Sequence, residues 1–165
     1  MIGRTTARGR ERQRMRHPKW LSLPFVALVG TVALIAQQPR TFKARLSPVP
    51  IDIAMQANVA GVGSITGALA GNKLTLNGTF EGLRGPATTA QLHKSPTRGM
   101  RGPVVADLTV AKGAEPTAGT ITGTLDLTAL QVTDLEKGRF YVQLHSEKAP
   151  DGNLWGWLLP QEKGK

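Results

Sequence analysis

The sequence predicts an all-β protein: an antiparallel β-sandwich or Greek-key-like barrel with one short helix, preceded by an N-terminal hydrophobic leader or anchor helix. Three observations carry this. From about residue 51 onward, apolar residues recur at every second position, the period of a pleated strand with one buried face. Turn-forming residues separate these runs at spacings of roughly 8–12 residues, as in sandwiches and barrels. Glycine and proline make up 30 of the 165 residues, about 18% against a usual ~12%, an excess that suits tight turns better than helices.

The elements follow in chain order. Residues 1–19 hold seven basic side chains against Glu11 alone, so +6 of the chain's +10 sits in this stretch. Residues 20–36 (WLSLPFVALVGTVALIA) carry no charge over 17 positions. That length falls between a secretory apolar core of about 7–15 residues and a spanning helix of about 20. Pro24 starts or kinks its helix. Basic residues ahead of an apolar run keep the N-terminus cytoplasmic, which places the rest of the chain on the outer side of the membrane, the periplasm in a bacterium. The long basic stretch favours an uncleaved anchor. Met15, as an alternative start, leaves the short MRHPK typical of a cleaved signal peptide, although neither Thr31/Ala33 nor Leu34/Ala36 makes a clean small-residue cleavage site. Residues 37–50 contain three prolines and three basic residues and read as a linker or strap. The domain is expected over 51–160, with a tail at 161–165.

Within that domain the clearest strand is Lys73–Glu81 (KLTLNGTFE), with Leu74, Leu76 and Phe80 on one face and polar residues on the other. Residues 120–127 (TITGTLDL) repeat the pattern. Further strands are expected over 52–58, 62–69, 87–93, 104–110, 139–145 and 153–159. One interruption is helical: Thr128 and Gln131 form a capping box, Leu127 precedes it as a staple, and Gly138 stops the helix. Aromatic residues make up only 5% of the chain, so the core is expected to consist of Leu, Val, Ile and Ala.

Composition excludes several chemistries. Without cysteine there is no disulfide, thiolate nucleophile, zinc–thiolate site or iron–sulfur cluster. The 146 residues after position 19 carry only +4 and show no basic stripe interleaved with aromatic residues, so no nucleic-acid partner is expected. Phosphate-binding loops and nucleophile elbows are missing too. Ser64 and Ser95 have no evident base, and Asp134 and Glu136 read as solvated residues of the short helix. No catalytic residue and no cofactor is expected.

Two features can carry recognition. The tripeptides Gln91-Leu92-His93 and Gln143-Leu144-His145 lie on predicted strands, where alternation sets Gln and His on one face and Leu on the other. If the strands are neighbours, Gln91, His93, Gln143 and His145 form one polar cluster. Imidazole is the commonest metal ligand, so the alternative is a metal-handling (copper or zinc) or redox-accessory protein using His93 and His145. Metal catalysis generally needs three protein ligands, and His17 lies on the other side of the apolar run. The second feature is Trp155-Gly156-Trp157, which puts two indoles on one strand face with a glycine between them for a bulge or close backbone approach. Paired aromatic residues are common binding hot spots.

Several segments resemble the CHRD domain, a module named from chordin and widespread in bacterial exported proteins. They are residues 78–83 (GTFEGL), 90–93 (AQLH), 102–105 (GPVV), 127–131 (LTALQ), 135–138 (LEKG), 141–145 (YVQLH) and 150–156 (PDGNLWG). The resemblance spans roughly residues 55–159 and implies an extracytoplasmic β-sandwich with a binding or structural role. Two departures stand out. The family usually reads H-I-H-G-P where this chain has Gln91-Leu92-His93-Lys94-Ser95-Pro96, so the first histidine of that pair is replaced. Trp155 and Trp157 flank the glycine where relatives more often carry a charged residue and Gln. Together these readings describe a non-catalytic binding or accessory module, tethered through residues 20–36, whose protein or small-ligand partner meets Gln91, His93, Gln143, His145, Trp155 or Trp157.

Overall fold

Strict alternation along Lys73–Glu81 becomes strict alternation in space: Leu74, Leu76 and Phe80 are buried, whereas Lys73, Asn77, Thr79 and Glu81 face solvent. The same rule builds the rest of the domain. The computed structural model describes residues 39–50 and 52–162; the basic stretch, the leader and the end of the tail lie outside them. In chain order the elements are β1 (Arg40–Pro48), β2 (Val62–Ala70), β3 (Lys73–Glu81), β4 (Ala87–Lys94), β5 (Val104–Lys112), β6 (Gly119–Asp126), α1 (Ala129–Glu136), β7 (Phe140–Ser146), β8 (Ala149–Trp157) and β9 (Leu159–Pro160). Among the described residues no helix is long and apolar enough to cross a membrane.

All strand pairs are antiparallel, and they close into a ring: β1-β2-β3-β6-β5-β4-β7-β8 and back to β1. The expected Greek-key barrel is therefore present in closed form, with eight strands and one short helix. An eight-stranded barrel leaves an interior that side chains just fill. Here one apolar cluster fills it, from Phe42 and Leu46 through Leu76, Ile121 and Phe140 to Leu144 and Leu154. Leucines dominate as expected, but Phe42, Phe80 and Phe140 supply much of the bulk. After β8 the chain bends at Leu158 and continues as β9 along β1, pairing Leu159 with Lys43 and Pro160 with Phe42.

The helix forms as its capping box dictates. Thr128 accepts the backbone N–H of Gln131 at 3.2 Å, and the Gln131 side chain accepts the Thr128 N–H at 2.8 Å. The helix ends at Gly138, which takes a φ of +67°, a conformation that side chains disfavour. Leu135 points into the barrel core. Asp134 is not the solvated residue expected. It is only 3% exposed and lies between Lys94 Nζ at 2.6 Å and Arg139 Nη1 at 2.9 Å. These contacts, the hydrogen bond from Lys94 first and Arg139 second, hold its carboxyl below the usual carboxylate range even though burial opposes them. One buried acid thus ties the end of β4 to the helix and to the start of β7.

Two further expectations fail. Residues 40–48 are not linker but β1, which closes the barrel between β2 and β8. Phe42, Ala44 and Leu46 alternate inward and Lys43 and Arg45 outward, a strand pattern framed by prolines. Pro48 stands at the strand end, where proline is tolerated. Conversely, residues 52–58 form tight turns rather than a strand. Asp52 Oδ1 accepts the Met55 N–H at 3.0 Å, and Asn58 N–H donates to Met55 O at 2.9 Å. These local bonds satisfy the backbone without a partner strand. Met55 and Val59 then pack with Val49, Ala149 and Trp155 in a small satellite cluster outside the barrel.

Candidate functional site

Because β4, β7 and β8 are consecutive in the barrel wall, their outward residues line up across strands. One row runs Asp107–Gln91–Gln143–Trp155–Ser47, and the next runs Val104–His93–Tyr141–Trp157. The candidate residues on β4, β7 and β8 therefore do share one face. Register decides who touches whom: His93 lies opposite Tyr141, not His145, and the two glutamines lie opposite each other.

Tyr141 is the centre of an aromatic ladder. The His93 ring stacks on it with centroids 4.8 Å apart and planes 13° off parallel. Trp157 lies 4.7 Å and Trp155 5.8 Å from it, and the two indoles meet edge-on at 6.0 Å. Such contacts are favourable beyond their area, by about 0.5–1.5 kcal/mol per pair. Gly156 lies between the indoles on the inward face because a Cβ there would sit 2.5 Å from Arg45 O on β1. The expected close backbone approach is thus to the strand that closes the barrel. Tyr141 is buried, whereas Trp155 and Trp157 are half-buried and form the accessible edge of the ladder.

The polar members are not laid open on the surface. His93 is 8% exposed and Gln143 3%. Residues 95–103, between β4 and β5, fold back over His93, and its Nδ1 donates to Gly102 O at 2.9 Å. The Gly102 N–H in turn donates to the Tyr141 hydroxyl at 3.1 Å. On the other side the start of β8 covers Gln143, whose Nε2 donates to Asp151 O at 3.0 Å. Arg101 donates to the same carbonyl at 3.1 Å and so joins the two covering segments. His145 Nδ1 donates to Pro150 O at 2.7 Å. Gln91 is held differently, by donating to Asp107 Oδ1 at 2.8 Å.

These bonds fix the tautomers. A carbonyl oxygen only accepts, so each histidine must carry its proton on Nδ1, and in the neutral ring Nε2 keeps the lone pair. Both Nε2 atoms are buried and neither has a hydrogen-bond partner. A buried acceptor left in that state is unfavourable by about 1–3 kcal/mol. Burial, the largest influence, lowers the His93 pKa; the bond to Gly102 opposes this, and charge on His145 and Arg101 adds to the lowering. His93 is therefore neutral at neutral pH. Nearby, Ser146 Oγ and Asn153 Oδ1 are also buried without partners. Among the described residues no three His, Cys, Asp or Glu side chains converge as a metal cluster.

Sequence reasoning missed Tyr141 and the covering role of Gly102 and Asp151. Tyr141 was within reach, since alternation places it on the same face as Gln143 and His145. The cover was not, because it depends on loop backbone that carries no periodic signal.

A family model for the CHRD domain matches residues 42–158, most of the chain. The chain belongs to the CHRD family. No curated protein and no solved structure matches it. The CHRD match begins within β1 and ends just after β8, so the family unit coincides with the closed barrel rather than starting at residue 51. Within this CHRD barrel, position 91 holds a glutamine committed to Asp107.

Proposed function

We propose that this CHRD protein is a non-catalytic binding or accessory module on the outer side of the cytoplasmic membrane, tethered through residues 20–36. Its protein or small-ligand partner docks on Trp155 and Trp157. The aromatic ladder carries this reading. Two half-exposed indoles stand on a rigid sheet, backed by buried Tyr141 and His93, so little side-chain entropy remains to be lost on binding. Gln91 and Asp107 provide a polar margin at the same face. The non-catalytic part is supported by engagement of the ionisable groups: Asp134 is locked between two cations, Asp107 holds Gln91, and each histidine holds a backbone carbonyl. The basic stretch followed by an uncharged run supports the tether.

The test is affinity capture from a membrane extract with the full chain, its Trp155→Ala/Trp157→Ala variant, and Thr122→Lys on the opposite wall of the barrel. The expected outcome is a partner recovered by wild type and Thr122→Lys but not by the double variant. Equal recovery by all three removes the tryptophan surface. A C-terminal reporter enzyme that works only outside the cytoplasm should be active; an inactive one removes the tether and the compartment.

A further inference from the structure

The segment over His93 is held down by very little. From Pro96 to Arg101 every residue is exposed, so this part of the cover buries no apolar side chain of its own. Gly99 takes a φ of +91°, and a Cβ added to it would meet nothing within 4 Å. What ties the cover to the outer wall is polar: Gly102 O accepts from His93 Nδ1, the Gly102 N–H donates to the Tyr141 hydroxyl, and Arg101 donates to Asp151 O. A segment with few buried apolar contacts opens locally at low free energy while the core stays folded. Beneath it lies His93, stacked on Tyr141, with Nε2 buried and without a hydrogen-bond partner.

We propose that residues 95–103 form a pH-operated lid: a proton taken up by His93 at mildly acidic pH lifts the segment and uncovers the His93 ring and the Tyr141 hydroxyl, extending the accessible part of the aromatic ladder. Nδ1 already carries a proton, so the added one goes to Nε2, where the new N–H finds no acceptor while the lid is down. The surroundings do not compensate the charge. On β4, Lys94 is drawn to Asp134. On β5, Val104 lies opposite His93, and Asp107 is held by Gln91. On β7 come Tyr141 and, beyond the glutamine row, His145. On β8, Trp157 lies beyond Tyr141, and Asp151 covers Gln143. The lid itself brings Arg98 and Arg101. Among the described residues no carboxylate lies within ion-pair distance of the ring. The bond to Gly102 O strengthens when the ring is charged and resists the lifting, but burial outweighs it and the His93 pKa falls. The uncovered ring, with the ordinary value of about 6.5, therefore binds the proton more tightly than the covered one. Closure is fully favoured above that value and weakens as pH falls through it toward the lowered one. The lid acts whatever docks on the tryptophans, and it is read on the protein alone.

The experiment follows amide hydrogen exchange of the full chain across the histidine range, about pH 5 to 8, with the intrinsic pH dependence of exchange divided out. Protection of the Gly102 amide should fall below about pH 6.5, by up to about tenfold per pH unit, the limit for one proton. Amides of β2 and β3 should keep their protection. His93→Gln, whose side-chain amide can still donate to Gly102 O but does not titrate, should hold the lid down throughout. His17→Gln and His145→Gln should retain the wild-type fall. NMR titration of the His93 ring provides the second readout and needs no variant: ring protonation and loss of Gly102 protection should share one midpoint. Protection independent of pH in wild type, the same fall in His93→Gln, or a His93 ring that titrates while Gly102 stays protected would each overturn the proposal.

Discussion

The two walls of this barrel share one interior and differ in almost everything they show to the outside. On β2, β3, β6 and β5 the outward row Thr66–Asn77–Thr122–Thr109 crosses four strands with small, uncharged, exposed side chains. On β4, β7 and β8 the equivalent positions hold His93, Tyr141 and Trp157, buried or half-buried and stacked on one another. The first wall uses residues that suit a pleated strand and touch little. The second adds an outer layer of packing, with loops folded down over it. The outward half of a strand pattern therefore says little about exposure: the same period of two serves a solvated wall and a covered one.

Tyr141→Ala against Thr122→Ala is the sharpest test of that contrast. The first removes a buried ring at the centre of the ladder and is expected to destabilise by about 3–5 kcal/mol, as for other buried aromatic truncations. The second should stay within about 0.5 kcal/mol of wild type. Urea unfolding of both variants decides it, and equal midpoints would erase the distinction between the walls.

The interior should show no such asymmetry. Leu76→Ala behind the threonine wall and Leu144→Ala behind the aromatic wall both open a cavity in the same cluster. Each should cost about 2–5 kcal/mol, and calorimetry should find similar drops in Tm. A large loss for Leu144 alone would mean that the core is divided.

The smallest effect concerns the tie on the covered side. Asp134→Asn replaces an ionised acceptor between Lys94 and Arg139 and should cost about 1–3 kcal/mol at neutral pH. Because folding lowers the Asp134 pKa below the ordinary carboxylate value, its contribution is complete above the unfolded-state value. It is lost as pH falls through that value toward the folded one. Wild type and variant should thus converge in stability below about pH 4; curves that remain parallel there would assign the acid no ionic role.

Much of the barrel was legible because burial on one face imposes its period directly. Lys73–Glu81 shows this, with expected and observed bounds the same. The capping box was legible for a similar reason, since Thr128 and Gln131 bond only to each other's backbone. β1 was hidden because three prolines and three cations surround a short alternation, and what makes it a strand is pairing with partners 17 to 29 and more than 100 residues away. Residues 52–58 erred the other way: an alternating run was satisfied locally by Asp52 and Asn58. At the site, alternation showed that Gln91 and His93, Gln143 and His145, and Trp155 and Trp157 each share a face of their own strand; that the three strands lie side by side is set by long-range pairing. The burial of His93 and of Gln143 was not legible, since it is set by Gly102 and by Asp151 respectively, whose main-chain oxygens leave no trace in side-chain pattern.

The position of β1 has a mechanical consequence. Any pull arriving from the chain upstream of residue 39 enters the barrel lengthwise along β1, whose long register with β2 runs from Arg40 to Leu46. A force in that direction loads all the cross-strand hydrogen bonds of the pair together, in shear, instead of peeling them apart one after another. A load taken up at Trp155 and Trp157 enters on β8, the other neighbour of β1. Tension between the two ends of such a link would therefore be shared between the long register of β1 with β2 and its short one with β8.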